Sequence, residues 1–277
     1  MSIKIVADSS CELNEELKKE MDIAIAPLIL TLGDKSYVDN ESLNVVDYVQ
    51  EMSRCPVSPK TACPSPEDYL KHYGVAESTF VVTLSHCLSG SYNSALVAKN
   101  IFLEEAQNKF IHVFDSLSAS VGETLVSLKI NDFGRLNFSD MEIVDKVTKY
   151  IKEMKTYFLL ESLEHLAKAG RLNPIIAKIA SMLSISAIMC GDEGSIKLVE
   201  KVRGYKKAFS RLVDIIGEEE TNFEDKTLGI AHCNCLERAV QLKNEALKKY
   251  NFKDIIIVEM KGLSSSYADN GGIVIAF

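Results

Sequence analysis

The stretch TFVVTLSHCLSGSYNSALVAKN (residues 79–100) contains the unit from which the fold is built. Its first part is a short run of β-branched and aromatic residues, which predicts a buried strand over 79–85. A turn rich in serine and glycine follows, and the remainder has the pattern of a helix over 91–106. A strand that leads directly into a helix is the building block of α/β proteins.

The same order of strand and helix recurs along the chain. Further strands are predicted at 3–7, 23–30, 110–116, 157–162, 226–232 and 254–260. Further helices are predicted at 14–21, 45–52, 66–73, 118–131, 140–154, 204–220 and 235–249. The alternation predicts an α/β protein with largely parallel sheet. A charged helix that gives way to a new strand near residue 155 predicts two domains, 1–155 and 156–277.

Composition narrows the classes of function. The 277 residues include 39 acidic and 31 basic side chains, and the net charge of −8 argues against nucleic acid or an anionic membrane as the main partner. The seven cysteines lack the spacing of a disulfide framework, which predicts a reducing cytosol. No secretion signal is recognisable, and the longest apolar region carries Lys178 and is too short for a bilayer. We therefore expect a cytoplasmic protein whose membrane contact is at most transient.

Serine-rich segments follow three of the predicted N-terminal strands. They are ADSS (7–10), LSHCLSGS (84–91) and FDSLSAS (114–120). Ligands of open parallel sheets bind beyond the carboxyl ends of the strands, so these hydroxyls are expected to gather at one edge. They predict an anion site, and the lack of Lys or Arg among them favours a single carboxylate over a phosphate. The alternative is that each segment only caps a helix.

The segment KTACPSPEDY (60–69) contains a helix start and one hydroxyl that the helix does not use. Ser65 suits the cap position, Pro66 suits the first turn, and Asp68 lies three residues past the cap. Thr61 takes no part in this cap, although it lies just upstream in a segment stiffened by prolines. Its hydroxyl is therefore left for another role.

Other motifs point less clearly to chemistry. Neither GxxxxGK[ST] nor GxGxxG occurs, so no phosphate-binding loop is expected. HCNC (232–235) resembles half of a metal site, but it lacks a second pair at zinc spacing, and a strand-to-helix turn is expected there. His86 and Cys87 lie near Ser89 and raise the alternative of a Ser-dependent hydrolase, although no GxSxG surrounds them. KAGRLN (168–173) has the composition of a helix C-terminus.

Six motifs, in order, resemble those of the DegV-like proteins, which are bacterial fatty-acid-binding proteins that serve as lipid-carrying subunits of fatty-acid kinase. They are ADSSCEL (7–13), TACPSPEDY (61–69), LSHCLSGSYNSA (84–95), FDSLSASVG (114–122), LEHLAKAGRL (163–172) and GSIKLVEKVRGYKKA (194–208). The likeness therefore runs the whole length of the chain.

The resemblance implies two α/β domains with a long-chain fatty acid between or within them. It places the ligand carboxylate on Thr61 and Ser89, with Ser91, Arg171 and Tyr267 as secondary candidates. It implies a binding protein with no catalytic residues, cofactor or metal of its own. Such a protein presents the carboxylate to a separate ATP-dependent kinase subunit, which forms the acyl phosphate. Arg171 and its loop are expected near the ligand mouth or the partner surface.

Three places depart from the family pattern. Ala62 stands where a serine is expected, and Ser91 replaces a threonine. In YADNGG (267–272), Tyr267 stands where the family has a histidine, and Asp269 where it has a glycine. These departures leave open what takes over the role of that histidine, in the site and in coupling to a kinase.

The acyl chain would need an apolar tunnel. A helix at 174–183 and a strand at 185–189 are expected either to line it or to form ordinary core. Two other functions stay open at this point: a hydrolase that uses Ser89 with His86, and a carrier or sensor of another small carboxylic acid.

Overall fold

Four parallel strands form the first sheet of the computed structural model, which describes residues 2–106, 108–173, 176 and 185–277. In their order across the sheet they are β2 (Ile23–Ala26), β1 (Ile3–Asp8), β6 (Ser78–Thr83) and β7 (Phe110–Asp115). All three pairings are parallel, and β6 is buried along its whole length. The carboxyl ends of β1, β6 and β7 therefore meet at one edge, together with the serine segments that follow them.

A small antiparallel sheet contains β4 (Lys35–Val38), β3 (Ile29–Leu32) and β5 (Lys60–Ala62), in that order. The prediction of one strand over 23–30 is wrong, because this stretch forms β2 in the first sheet and β3 in the small one. Pro27 separates the two strands, since proline has no amide donor and interrupts a ladder. In the small sheet, Leu30 of β3 lies opposite Thr61 of β5.

A six-stranded sheet occupies the second half of the chain. Its order is β10 (Ser195–Arg203), β9 (Ile185–Asp192), β8 (Thr156–Leu159), β13 (Ile273–Ala276), β11 (Thr227–His232) and β12 (Asp254–Glu259). β13 thus lies between β8 and β11, although it follows β12 in the chain. β11 pairs with β12 in parallel, and the other described pairings are antiparallel.

The α/β prediction is confirmed, but the expectation of largely parallel sheet holds only for the four-stranded first sheet. In the second half, β9 and β10 form a hairpin through Glu193 and Gly194, both of which have positive φ. Such a turn joins antiparallel neighbours directly, without the helical crossover that parallel strands need.

Helices connect most of the strands. They are α1 (Glu15–Glu20), α2 (Val45–Arg54), α3 (Pro66–Leu70), α4 (Ser91–Glu105), α5 (Val121–Arg135), α6 (Asp140–Glu153), α7 (Glu164–Lys168), α8 (Tyr205–Glu219), α9 (Leu236–Lys249) and α10 (Gly262–Ala268). The predicted start of α3 is confirmed, because Ser65 and Asp68 form a reciprocal capping box. In the described part of the chain, no helix combines the length and the apolarity that crossing a bilayer would require.

The helix α5 connects the two halves of the core. Residues 121–127 are all buried, and the side chains of Val121 and Leu125 approach the backbone of Gly229 in β11. One apolar cluster includes Ile5 of β1 together with Ala276 of β13. The two halves therefore share a core, and the division into 1–155 and 156–277 stays a prediction.

A buried carboxylate, that of Asp39, joins segments that lie far apart in the sequence. Asp39 is only 2% exposed, and it accepts a 2.8 Å hydrogen bond from the Ser9 hydroxyl. It also accepts from the first two amides of α10, those of Gly262 and Leu263, at 2.8 and 2.9 Å. Burial raises the pKa of the Asp39 carboxyl, while these three hydrogen bonds act to lower it. The carboxylate thus fastens the start of α10 to the end of β1.

Asp39→Ala is expected to lower the free energy of unfolding by about 3 kcal/mol or more, because three buried donors lose their acceptor. Asp39→Asn should lose less, since the amide oxygen can still accept. Urea unfolding at pH 7 measures both changes. The exposed Asp34 provides the control, and Asp34→Ala should stay within about 0.5 kcal/mol of the wild type. Equal stability of the two alanine variants would contradict this role of Asp39.

Candidate functional site

A cavity lies between the carboxyl edge of the parallel sheet and the six-stranded sheet. Its described polar lining consists of Ser10, Thr61, Ser89, Ser118, Ser120, Thr156, Arg171, Ser195, Ser264 and Tyr267. Its described apolar lining consists of Leu28, Leu84, Leu88, Leu117, Ala119, Phe158, Leu160, Leu166, Ile196, Met260, Leu263, Ala268 and Val274. A site of this composition suits a ligand with one polar group and a long apolar part.

Thr61 reaches the cavity from the small sheet. Its place is fixed by the pairing of β5 with β3. The Thr61 Oγ1 atom lies 2.8 Å from the phenol oxygen of Tyr267, which α10 contributes from the other half of the chain. The structure therefore brings together two of the predicted residues, 61 and 267, that are 206 positions apart.

Ser89 reaches the cavity from the turn between β6 and α4. Its amide donates to the Ser85 carbonyl at 3.1 Å, and its hydroxyl lies 3.1 Å from that of Ser91. Ser91 is fully buried and is not part of the described cavity lining. Its hydroxyl contacts that of Ser89. Gly90 allows the turn to approach β5, because a Cβ at this position would lie 3.1 Å from the sulfur of Cys63.

Arg171 lines the same cavity. The predicted helix C-terminus is confirmed, because α7 ends at Lys168 and Gly170 has a positive φ. The Arg171 Nε atom donates to the Leu88 carbonyl at 3.1 Å, and Nη1 donates to the Ala169 carbonyl. Arg171 thus ties its loop to the residue next to Ser89. The cavity holds a cation that the serine segments alone did not predict.

The predicted tunnel walls are met only in part. The helix predicted at 174–183 lies outside the described residues, apart from residue 176. The strand prediction at 185–189 falls within β9, yet the described lining from this strand is Gly191 near its other end. Much of the described apolar lining comes instead from β8, α10 and their flanking residues, which the sequence reading had not singled out.

Many of the predicted hydroxyls serve the backbone rather than the cavity. The Ser9 hydroxyl accepts from the Leu28 amide at 3.0 Å and donates to Asp39, and Ser85 donates to the Gly194 carbonyl at 2.7 Å. Ser116 donates to the Ser118 carbonyl. These contacts join turns and strands and do not cap a helix. The helix-cap alternative therefore does not describe these three serines. One or more serines from each segment still line the cavity, as Ser10, Ser89 and Ser118 show.

Buried carboxyl groups lie beneath the polar lining. Asp8, Glu12 and Glu123 are each 0% exposed. Burial raises the pKa of Asp8 to about 6, although the amides of Leu84 and Ser10 donate to its carboxyl. Burial, followed by the nearby Asp8, raises the pKa of Glu123 well above its usual range. Burial thus favours the neutral form of Glu123.

Glu12 has the most clearly defined environment of these groups. Its Oε2 atom accepts from the Lys261 amide at 2.7 Å, while Oε1 has no partner among the described residues. Burial raises the pKa of Glu12 from 4.5 to about 8. This burial is not predictable from the sequence, because Glu12 follows the Asp-Ser segment as an ordinary acidic residue.

The hydrolase alternative pairs Ser89 with His86, and the structure places these side chains in different contacts. His86 Nδ1 hydrogen-bonds the Asp115 carboxylate, and its Nε2 lies 3.4 Å from the Cys87 sulfur. The described contact of the Ser89 hydroxyl is with Ser91. Among the described contacts, His86 therefore does not serve Ser89 as a base.

The HCNC segment forms the end of β11 and the turn into α9. There the Cys235 amide donates to His232 Nδ1 at 3.4 Å, which is a local turn contact. Among the residues that the structure describes, no group of three or more His, Cys, Asp or Glu side chains could hold a metal ion.

Comparison with known proteins identifies the family. The family model described as "Uncharacterised protein, DegV family" matches residues 2–277. The chain belongs to the DegV family. A DegV domain-containing protein of Streptococcus gordonii is 35% identical over 280 residues, which cover 100% of this chain and 99% of the relative.

Solved structures of DegV proteins share the whole fold. A DegV family protein of Ruminococcus gnavus, refined with vaccenic acid, has a TM-score of 0.95 and 40% identity, with 100% of both chains covered. The fatty acid kinase B3 protein of Streptococcus pneumoniae, loaded with linoleic acid, has a TM-score of 0.92 and 32% identity. That match covers 100% of this DegV chain and 99% of the other.

The buried Glu12 of this DegV protein should make stability depend on pH. Its pKa in the unfolded chain is the lower one, so stability is lost as pH rises from 4.5 towards 8. Glu12→Gln cannot ionise and still offers an oxygen to Lys261. It should match the wild type near pH 4 and exceed it by about 2–4 kcal/mol above pH 8.

Urea unfolding at several pH values measures the difference. Glu16→Gln, on the exposed side of α1, is the control and should run parallel to the wild type. A constant difference between Glu12→Gln and the wild type from pH 4 to 9 would show that Glu12 does not titrate in this range.

Proposed function

We propose that the protein binds a long-chain fatty acid non-covalently in this cavity. The observation that carries the proposal is the lining itself, in which hydroxyls and Arg171 adjoin an extensive apolar wall. The solved relatives with 40% and 32% identity, which hold vaccenic and linoleic acid, support it. Each buried methylene contributes about 0.8 kcal/mol, so the acyl chain supplies most of the affinity and the head group mainly fixes orientation.

In this proposal Thr61 and Ser89 bind the carboxylate. Each hydroxyl already has a second hydroxyl beside it, that of Tyr267 for Thr61 and that of Ser91 for Ser89. A hydroxyl both donates and accepts, so Thr61 can accept from Tyr267 while it donates to the ligand. Ser91 can support Ser89 in the same way. Tyr267 thus takes a place in the head-group site that the family gives to a histidine.

Neutral hydroxyls hold a carboxylate without neutralising it, which keeps its oxygens nucleophilic. We propose that the protein has no catalytic activity of its own and presents this carboxylate to a separate ATP-dependent kinase subunit, which forms the acyl phosphate. The likeness to the fatty acid kinase B3 protein supports such a partner. Arg171 lines the cavity and is hydrogen-bonded to the Leu88 carbonyl. In this proposal it lies where the two proteins would meet.

The two parts of the chain have different shares in the proposed site. Residues 1–155 provide Thr61 and Ser89, and residues 156–277 provide apolar residues such as Phe158, Leu160 and Val274. We propose that the first domain holds the head group and the second covers the acyl chain. A protein of this kind would act in the cytoplasm, with transient contact to the membranes from which fatty acids come.

The purified protein should carry a long-chain fatty acid from its expression host. Organic extraction followed by mass spectrometry should find one acid per chain. After removal of lipid, palmitate or oleate should raise stability by about 2.7 kcal/mol at a hundred times the dissociation constant. Butyrate at the same concentration is the control. No lipid in the extract and no stabilisation would overturn the proposal, whereas equal stabilisation by butyrate would favour a carrier of small acids.

Removing either proposed carboxylate ligand should weaken binding. Thr61→Val and Ser89→Ala should each cost about 1.5–3 kcal/mol of affinity for the free acid, because a hydrogen bond to a charged group is lost. The methyl ester should bind both variants and the wild type almost equally. Thr31→Val is the matched control, since Thr31 lies in the same small sheet without lining the described cavity.

Fluorescence displacement with the acid and its ester measures these affinities. Tyr267→Phe should show a smaller loss than Thr61→Val, because it removes the supporting hydroxyl rather than the ligand. Wild-type protein that binds acid and ester equally would show that Thr61 and Ser89 do not recognise a carboxylate.

A further inference from the structure

A second cluster of reactive side chains lies beside the cavity, at the ends of β6 and β7. These strands are parallel neighbours, with Thr83 opposite Asp115, so the residues that follow β6 come close to Asp115. The His86 amide donates to Asp115 Oδ1 at 3.2 Å, and His86 Nδ1 hydrogen-bonds Oδ2. His86 Nε2 lies 3.4 Å from the sulfur of Cys87.

This arrangement places a base, His86, beside the Cys87 thiol and so favours its action as a nucleophile. When Nδ1 donates to the Asp115 carboxylate, the lone pair of His86 lies on Nε2, which faces the thiol. The imidazole can then take the thiol proton, and the carboxylate orients and stabilises the resulting imidazolium. Cys87 is also exposed, whereas the other six cysteines are buried or partly buried.

The backbone amides of residues 86–89 are not available as the donors that acyl transfer requires. The Cys87 amide donates to Ser85 Oγ at 3.2 Å, and the amides of Leu88 and Ser89 donate to the Ser85 carbonyl. The His86 amide is taken by Asp115. The amides of residues 86–89 therefore all have acceptors within the protein, and none of them is left to bind a tetrahedral oxyanion. The geometry favours attack on a small electrophile without a carbonyl group.

The thiol is packed against a wall of the cavity. Cys87 Sγ lies 3.8 Å from the Glu193 carbonyl oxygen, in the turn between β9 and β10. The next residue, Gly194, lines the cavity and accepts the 2.7 Å hydrogen bond from the buried Ser85. The space is narrow, because a Cβ on Gly194 would lie 2.5 Å from Ser85 Oγ and 3.5 Å from Cys87 Sγ. An oxygen added to the sulfur on the side that faces the turn would compete with the turn for this space.

We propose that Cys87 is a site of oxidation by hydroperoxides, activated by His86 and Asp115, and that its oxidation displaces the 193–194 turn and weakens binding in the cavity. The last part rests on the proposed function. The thiol proton passes to His86 Nε2, and the sulfur attacks one peroxide oxygen. The S–O bond forms as the O–O bond breaks, and the leaving oxygen takes the proton from the imidazolium. Sulfur is oxidised by two electrons to the sulfenic acid, and the peroxide is reduced to water or an alcohol.

The reactivity is tested with the whole protein, hydrogen peroxide and a 1,3-dione that traps sulfenic acid, followed by peptide mass spectrometry. Cys87 should be labelled at least about tenfold faster than the partly buried Cys190, which serves as an internal control. His86→Ala should slow labelling of Cys87 by at least about tenfold, and so should Asp115→Asn, which keeps an oxygen for the backbone contacts. Labelling of Cys87 no faster than Cys190, or unchanged in both variants, would overturn the proposal.

The effect on the turn is measured without any ligand. Hydrogen exchange of the amides of residues 192–196 should rise several-fold after oxidation in the wild type and stay unchanged in Cys87→Ser treated alike. Affinity for a fluorescent fatty acid should fall at least about threefold in the same oxidised sample. Oxidation of Cys87 with no change in exchange would overturn the coupling to the cavity. Absence of fatty-acid binding before oxidation would count against the proposed function alone, because labelling and exchange are read independently of it.

Discussion

The fastening of α10 by the buried Asp39 carboxylate is the interaction on which the site depends. Asp39 follows β4 in the small sheet, and the same sheet places Thr61 through the pairing of β3 with β5. By binding the first two amides of α10, Asp39 sets the position of the helix that carries Tyr267. The contact between Thr61 and Tyr267 is the consequence. A buried carboxyl group with three donors thus helps to fix the geometry of the hydroxyl pair formed by residues 61 and 267.

The division of labour among hydroxyls explains what the cavity is suited to bind. Ser9, Ser85 and Ser116 hold turns together at the strand ends, which leaves other serines of the same segments to face the cavity. Burial raises the pKa of the carboxyls behind this lining, that of Glu12 to about 8. In the described lining, a ligand with several negative charges would meet a single guanidinium, that of Arg171. One carboxylate with an apolar chain fits this balance.

The sequence predicted what depends on local pattern and missed what depends on distant contacts. The strands β1, β6 and β7 were predictable, because buried parallel strands are continuous apolar runs, and the Ser65 cap has a local signature. The family motifs led to Thr61, Ser89, Arg171 and Tyr267, which do line one cavity. Neither the role of Asp39 nor the burial of Glu12 could be predicted, since their partners in and next to α10 lie more than 200 positions away. Pro27 marks the break between β2 and β3, but the apolar residues on both sides of it favour the prediction of a single strand.

The position of β13 has a consequence for how the chain folds as it leaves the ribosome. The slot between β8 and β11 stays open, with two unpaired strand edges, until residues 273–276 have emerged. The eleven residues before this strand include α10, so the segment that fills the slot also supplies part of the cavity wall. Unpaired strand edges tend to pair with other chains, so the nascent chain would have to protect these two edges during synthesis. Sheet closure and completion of the binding site would then be one event, late in the synthesis of the chain.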